Sequence, residues 1–306
     1  MVITLNDAFL DVRKALRQHG VSGCDVEARE LVCKAMNLDE NGFYSKRRDY
    51  IFEDNVKEIR RLTDLRLSGV PIQHILGQWE FYGLPFKVTT DTLIPRSDTE
   101  TLVDAALAFV NGRTRTRALD LCCGTGCVGI ALARFARSTI TCLLADISMP
   151  ALRVAKDNVA LNRMTRSVNV ATCDAKKPCP DIFGSFDLIT CNPPYIPTAE
   201  IGTLDPEVQR EPALALDGGE DGLDFYRAVC KNFKSAIREG GALMFEVGLG
   251  QYEQVREIML AAGFEDIAVF RDLSAIERVV CGTVPYTIPK ETIEENRTDV
   301  ANSVPV

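Results

Sequence analysis

From residue 118 onward the chain alternates two kinds of segment. Short apolar runs at 118–122, 140–145, 168–173, 186–191, 242–247, 268–271 and 278–281 have the length and β-branched content of buried strands. Most are separated by stretches near 128–136, 151–161, 224–237 and 251–261 whose apolar residues recur three or four apart, the helical period. A strand followed by a helix returns parallel to itself, and a parallel sheet must be covered on both faces. The pattern therefore predicts an α/β fold with a seven-stranded, mostly parallel sheet that presents ligand sites at the carboxyl ends of its strands. With 46% apolar and 25% charged residues the chain has enough material for such a core, and collagenous or coiled-coil architectures drop out.

The first 70 residues read differently. Leu5, Ala8, Phe9, Val12 and Leu16, then Val26, Leu31, Val32, Ala35 and Met36, then Val56, Ile59, Leu62 and Leu65 form three helical stripes, punctuated by Gly20, Gly23 and Asn41-Gly42. Residues 1–70 are expected to form a small helical domain. Trp79, Phe81, Tyr82, Phe86 and Val88 around Gly83 suggest a β-hairpin connector over 71–95. Ser97-Asp98-Thr99-Glu100 has capping-box spacing ahead of Leu102 and Val103, so a helix should open a domain running from 96 to 284. Residues 285–306 are polar, without pattern, and are expected to be a disordered tail.

Partners and compartment are bounded by charge and cysteine usage. The 35 Lys and Arg against 43 Asp and Glu leave a net charge of −8, which gives no long-range attraction to nucleic acid; Arg113, Arg115 and Arg117 are the best candidates for a local basic contact. The 11 cysteines are odd in number and contain no C-x-x-C pair, and there are only two histidines, so neither a disulfide framework nor a metal site is expected. No apolar run approaches the ~18 residues of a membrane span, and the amino terminus has no basic and apolar leader. A cytoplasmic protein with free thiols is expected.

Residues 120–129, Asp-Leu-Cys-Cys-Gly-Thr-Gly-Cys-Val-Gly, join the first strand of the alternating region to a helix and contain G-x-G-x-x-G. Glycines there let a ligand approach the backbone at a helix amino terminus. Asp146 ends the next strand, 20 residues beyond Gly126, where a carboxylate can accept both hydroxyls of a ribose. These features suit a nicotinamide dinucleotide and S-adenosylmethionine alike. Asp120 leans toward the latter, because its charge attracts an amino-acid ammonium and repels a pyrophosphate.

Asn192-Pro193-Pro194-Tyr195 follows the fourth strand of that region directly. The prolines end the ladder and stiffen the turn, leaving a backbone carbonyl beside the Asn192 side-chain carbonyl. Two fixed acceptors can grip both hydrogens of a planar NH2 group, with the Tyr195 ring against its face. Held so, the nitrogen lone pair is aimed at an incoming methyl while the acceptor dipoles stabilise the growing positive charge.

In these words the stretch from Val70 to Thr283 resembles the bacterial release factor glutamine methyltransferases: Pro71 to Gly77, Phe81-Tyr82-Gly83, Leu93 to Glu100, Asp120 to Gly126, Asn192 to Ile196, Glu211-Pro212, Asp221-Gly222-Leu223, Phe245 to Gly248 with Gln251, and Asp272 with Arg278. The resemblance implies a Rossmann-like class I methyltransferase that moves a methyl group from S-adenosyl-L-methionine to the Gly-Gly-Gln glutamine of class 1 peptide chain release factors, with the helical domain helping to hold that substrate. It implies cofactor contacts from Asp120, Cys122, Cys123, Gly124, Thr125, Gly126, Asp146, Asp174, Ala175 and Asn192. It implies substrate contacts from Asn192, Pro193, Pro194 and Tyr195, with Asn192, Pro193 and Tyr195 in the catalytic role, no metal, no membrane and no stable nucleic-acid partner. Cys122 and Cys123 stand where the family usually has Gly and a small residue, and Ala175 at a frequently aromatic position. A DNA or RNA N-methyltransferase using the same tetrapeptide, and less so a nicotinamide-dependent reductase, remain alternatives. The thiols of Cys122, Cys123 and Cys191 beside the site suggest sensitivity to oxidation.

Overall fold

The computed structural model describes residues 3–286, so the tail expected at 285–306 lies, from residue 287 on, outside the described residues. The amino-terminal helices are α1 (Leu5–Gln18), α2 (Cys24–Met36), α3 (Glu40–Lys46), α4 (Glu53–Leu67) and α5 (Ile72–Leu76), with a two-residue pairing of β1 (Ile3–Thr4) and β2 (Tyr50–Ile51). The apolar stripes close on one another: Leu5, Ala8, Val12 and Leu16 of α1 pack with Ala28, Leu31 and Val32 of α2 and with Ile59 and Leu62 of α4. Thr4 caps α1, accepting from the Asp7 N–H while the Asp7 carboxylate accepts from the Thr4 N–H.

The hairpin pairs β3 (Gln78–Phe81) with β4 (Leu84–Lys87) across a two-residue turn. Tyr82 and Gly83 both take positive φ there, 53° and 71°, the turn whose twist matches antiparallel strands. The Tyr82 N–H donates to Glu100 at 2.7 Å and its hydroxyl to Asp104 at 2.5 Å, which fastens the turn to α6 (Glu100–Val110). This corrects one expectation. The helix does begin at Glu100, but no capping box forms at Ser97–Glu100: a 3-10 turn over Ser97–Thr99 precedes the helix, and the Glu100 carboxylate is spent on the hairpin.

The remaining elements are β5 (Arg115–Leu121), α7 (Cys127–Phe135), β6 (Thr139–Asp146), α8 (Met149–Leu161), β7 (Val168–Thr172), β8 (Phe186–Cys191), α9 (Asp224–Phe233), β9 (Ile237–Glu246), α10 (Tyr252–Ala261), β10 (Glu265–Arg271) and β11 (Glu277–Thr283). The seven-stranded sheet runs β10-β11-β9-β8-β5-β6-β7. The five strands from β9 to β7 are parallel; β11 runs against them and β10, antiparallel to β11, runs with them again, so only β11 is reversed. Strand order reverses between β5 and β8, so the loops leaving those two strands diverge and open a crevice at the carboxyl edge.

Alternate residues feed two cores. Ala118 of β5 and Leu188 of β8 face the helices α6, α7 and α8, while Leu119, Leu121, Ile189 and Cys191 face α9 and α10 with Tyr226, Phe233 and Met259. All 11 cysteines are free, and most are small core residues. Among the described residues, no helix is long and apolar enough to cross a membrane.

Gly129 shows how closely α7 lies on the sheet. A Cβ there stands 2.4 Å from a Leu144 methyl and 2.8 Å from the Cys142 sulfur. Gly129→Ala should therefore destabilise the protein by about 1–3 kcal/mol through overpacking, read as a lower urea midpoint at unchanged slope.

Candidate active site

Two strand-end carboxylates hold the glycine loop. Asp120, 2% exposed, accepts the Gly129 N–H at 3.0 Å and the Thr190 hydroxyl at 3.0 Å. The first bond satisfies an amino-terminal donor of α7 from outside the helix, where the N-cap Gly126 has no side chain to offer. Asp146 accepts the Gly124 N–H and the Ser148 N–H, both at 2.9 Å. Asn158 of α8, fully buried, donates to the Thr125 carbonyl and exchanges bonds with the Lys87 backbone, joining the loop to β4. The loop itself winds through positive φ at Cys122, Gly124 and Gly126, 58°, 51° and 78°. A non-glycine residue in that region costs roughly 1–2 kcal/mol, a strain that Cys122 carries here.

The tetrapeptide is braced from behind. A Cβ on Gly218 falls 2.7 Å from Tyr195 Cα, one on Gly222 falls 2.4 Å from the Tyr195 carbonyl oxygen, and one on Gly248 falls 3.0 Å from the Tyr195 ring. Only glycine admits so close an approach. Gln251 donates to the Tyr195 carbonyl at 2.9 Å and accepts the Gly248 N–H at 3.0 Å. Ile196 pairs with Leu216 and Gly218, so the excursion over 197–215 leaves and returns beside the tetrapeptide. That excursion is tied to the helical domain: Arg66, buried, pairs with Glu27 at 2.6 Å and Glu207 at 2.7 Å, and Arg210 donates to the Ser68 carbonyl. Glu211 accepts the Ile94 N–H at 2.8 Å and pairs with Arg96. Asp98, near Arg96 in sequence, pairs instead with Arg278 at 2.7 Å.

Between loop and tetrapeptide lies a cavity of about 280 Å³. Its walls bring together Asp120, Cys122, Cys123, Gly124, Thr125, Asp146, Asp174, Ala175, Asn192 and Pro194. Gly126, Pro193 and Tyr195 are not on the wall; Gly126 packs against Leu144, and the Tyr195 ring lies against Gly248. Sequence reasoning missed Phe225 of α9 and read Thr99 only as part of a cap, yet both line the cavity. The Asp-Gly-Leu-Asp-Phe run was the available signal for Phe225, whose ring carries the Lys176 ammonium 4.4 Å above it. Arg113 and Arg117 belong to the opposite edge of the sheet, stacked on Phe109 and Phe186 and bonded to the Gly240 and Ser185 carbonyls. They form no basic contact beside the cavity.

Known proteins agree with this geometry. Residues 99–204 match the methyltransferase small domain family, and residues 7–77 the PrmC N-terminal domain. The release factor glutamine methyltransferase of Thermodesulfovibrio yellowstonii is 36% identical over 257 residues, 83% of this chain and 90% of that protein. Its counterpart from Geobacter sulfurreducens is 37% identical over 274 residues, 89% and 94% of the two chains. The chain belongs to the release factor glutamine methyltransferase family. Among solved structures, the hMettl16 catalytic domain superposes with a TM-score of 0.55 at 16% identity, covering 74% of this chain and 84% of that one, which is a likeness of fold.

In this methyltransferase the site is a place of displaced acidities. Burial pushes the Asp120 carboxyl up to about 7, against the pull of its Gly129 and Thr190 bonds and with the push of Asp146. Burial raises Asp146 too, opposed by the Ser148 and Gly124 N–H groups. Cys123 and Cys191 are pushed far up by burial, so neither offers the thiolate that mild oxidation needs, and the expected sensitivity narrows to half-buried Cys122.

The raised carboxyls have a consequence for stability. In the unfolded chain an Asp titrates near 4, so between there and about 7 native Asp120 keeps a proton that the unfolded state has lost, and Asp146 is shifted in the same direction. Their contribution is present below the unfolded value and is lost as pH rises through the folded one; Asp217 and Asp221, lowered by hydrogen bonds, titrate below this window. Urea unfolding should show lower stability at about pH 8 than at about pH 5, and Asp120→Asn should flatten part of that slope.

Proposed function

We propose that this enzyme transfers a methyl group from S-adenosyl-L-methionine to the side-chain N5 of the glutamine in the Gly-Gly-Gln motif of class 1 peptide chain release factors, acting in the cytoplasm in support of translation termination. The observation that carries the reading is that Asn192 and Pro194, at the end of β8, open onto the same cavity as the glycine loop and Asp146.

The residues present fit the cofactor. A carboxylate has about four lone-pair positions, and the Gly124 and Ser148 N–H groups occupy two on Asp146, leaving room for two ribose hydroxyls. Around the Cβ position of Gly124 the space is open, so the loop backbone is approachable. Asp174 and Ala175 offer an edge for the base, and Phe225 from α9 brings the flat apolar face that Ala175 does not. Asp120, when ionised, adds negative charge at the loop, where an ammonium is favoured and a pyrophosphate is not. Cys122, Cys123 and Thr125 form the wall, and Gly126 starts the helix whose amino terminus favours a carboxylate. When bound, S-adenosylmethionine supplies an electrophilic methyl on its sulfonium.

The chain's own work is orientation. Asn192 offers its side-chain oxygen, and Pro193 a carbonyl whose following residue, also proline, has no N–H. These acceptors take the two hydrogens of the glutamine amide, leaving its nitrogen lone pair facing the cofactor side of the cavity. As positive charge grows on that nitrogen, the same dipoles stabilise it without rearranging. Pro194, on the cavity wall, borders the amide plane, and Tyr195, its ring fixed over Gly248, holds the turn in place. The helical domain, linked to the 197–215 excursion through Arg66, holds the body of the release factor.

Incubation with a release factor and labelled S-adenosylmethionine should place one methyl on the Gly-Gly-Gln glutamine, located by mass spectrometry; transfer only to bare nucleic acid would sink the reading. Asn192→Ala should lower kcat by roughly 10²–10³-fold while S-adenosylhomocysteine binding changes little.

A further inference from the structure

For Asn192 to work as an acceptor, its oxygen must face the glutamine and its NH2 must face away. The tetrapeptide alone does not decide this, since a half-turn of the side-chain amide exchanges the two ends. The neighbouring strand carries a group that does. Glu246 ends β9, and Cys191 pairs with Phe245 in parallel register, so Glu246 lies across the sheet edge from Asn192. It is only 3% exposed, and its Oε2 is buried without a hydrogen-bond partner. Thr99, 2% exposed, faces the same point, and the Asn192 NH2 donates to its hydroxyl at 3.4 Å.

No charged group neutralises the Glu246 carboxylate, and its Oε2 has no partner. Among the described residues no ion pair reaches it, because Arg278 is held by Asp98 at 2.7 Å and Asp272 at 2.9 Å, and the nearby Tyr226 hydroxyl donates to the Glu246 backbone carbonyl instead. A buried, unpaired acid costs stability, whereas an apolar side chain at that site would not. We infer that Glu246 is a positioning residue which, with Thr99, offers acceptors to the NH2 of Asn192 and so presents the Asn192 oxygen to the substrate amide. This rests on the function proposed above.

The carboxyl is also poised to sense pH. Burial pushes it up to about 7, the Thr99 and Asn192 side chains and Arg278 pull it back, and Asp98 pushes it further; Tyr195, Tyr226 and Cys127 are the other titratable groups facing it. Ionised, Glu246 can only accept, and the amide has one orientation. Protonated, it can donate to the Asn192 oxygen, and the amide is free to turn its NH2 toward the substrate.

The test uses the full chain with a release factor, measuring kcat and both KM values on either side of neutrality, with S-adenosylhomocysteine binding as the check of folding. Wild-type kcat should rise with pH through about 7. Glu246→Gln, whose side chain can donate at every pH, should lower kcat about 10- to 100-fold, leave both KM values within a few-fold and abolish the pH step; Glu246→Asp should restore the step. If wild type methylates the release factor and Glu246→Gln keeps its kcat and pH profile, the inference is overturned. A wild type that does not methylate it at all overturns the functional reading instead. Should Glu246→Gln fail to bind S-adenosylhomocysteine, Thr99→Val decides: a fall in kcat of about 10-fold at unchanged KM supports the positioning role, and an unchanged kcat refutes it.

Discussion

The carboxylate of Asp120 is the constraint around which the site is built. It stands at the end of a central strand, buried, and accepts one hydrogen bond from the start of α7 and another from the neighbouring strand β8. Those two bonds set the distance between the glycine loop, which α7 follows, and the strand that delivers Asn192. Gly129 must be glycine because the helix is drawn so close to β6 that no Cβ fits. The cost is a carboxyl whose burial favours its neutral form, tolerated because an unsatisfied helix terminus and a loosened loop would cost more.

The same logic of close approach explains the words scattered after the tetrapeptide. Gly218 and Gly222 from one loop and Gly248 from another all converge on Tyr195, while Gln251 takes its carbonyl. A turn of two prolines is stiff by itself, but its place relative to the cavity is set by these backbone contacts. They act on geometry alone, and none of the three glycines lines the cavity.

Much of this was legible in the sequence, for physical reasons. Strands β5, β6 and β8 are buried over their carboxyl-terminal halves and bounded by turn residues, so their apolar runs mark them to within a few residues. Strand β9 was read as starting at 242 because Arg238, Glu239 and two glycines precede it, yet it begins at Ile237, where that polar segment forms the exposed end of a long strand. The capping box at Ser97–Glu100 has the right letters, but a hairpin turn 18 residues upstream takes the carboxylate, a tertiary contact that no local pattern reports. Asp146 and Asn192 were found because strand ends gather at one edge of such a sheet. Phe225 was not, because it arrives on a helix and is apolar, like any core residue.

The helical domain also has a mechanical claim on the active site. Arg66 is buried and divides its guanidinium between Glu27 of its own domain and Glu207 of the excursion that begins at the tetrapeptide. A few residues on, Glu211 holds both the Ile94 N–H and the Arg96 side chain, and Leu93 to Arg96 form part of the cavity wall. Helical domain, excursion and wall are therefore joined by ion pairs that each have one buried member, Arg66 in the first and Glu211 in the second, so that removing the exposed partner strands a buried charge. The helical domain is thereby linked to the cavity wall by two ion pairs in series, Arg66 with Glu207 and Glu211 with Arg96, the second reached four residues along the same excursion.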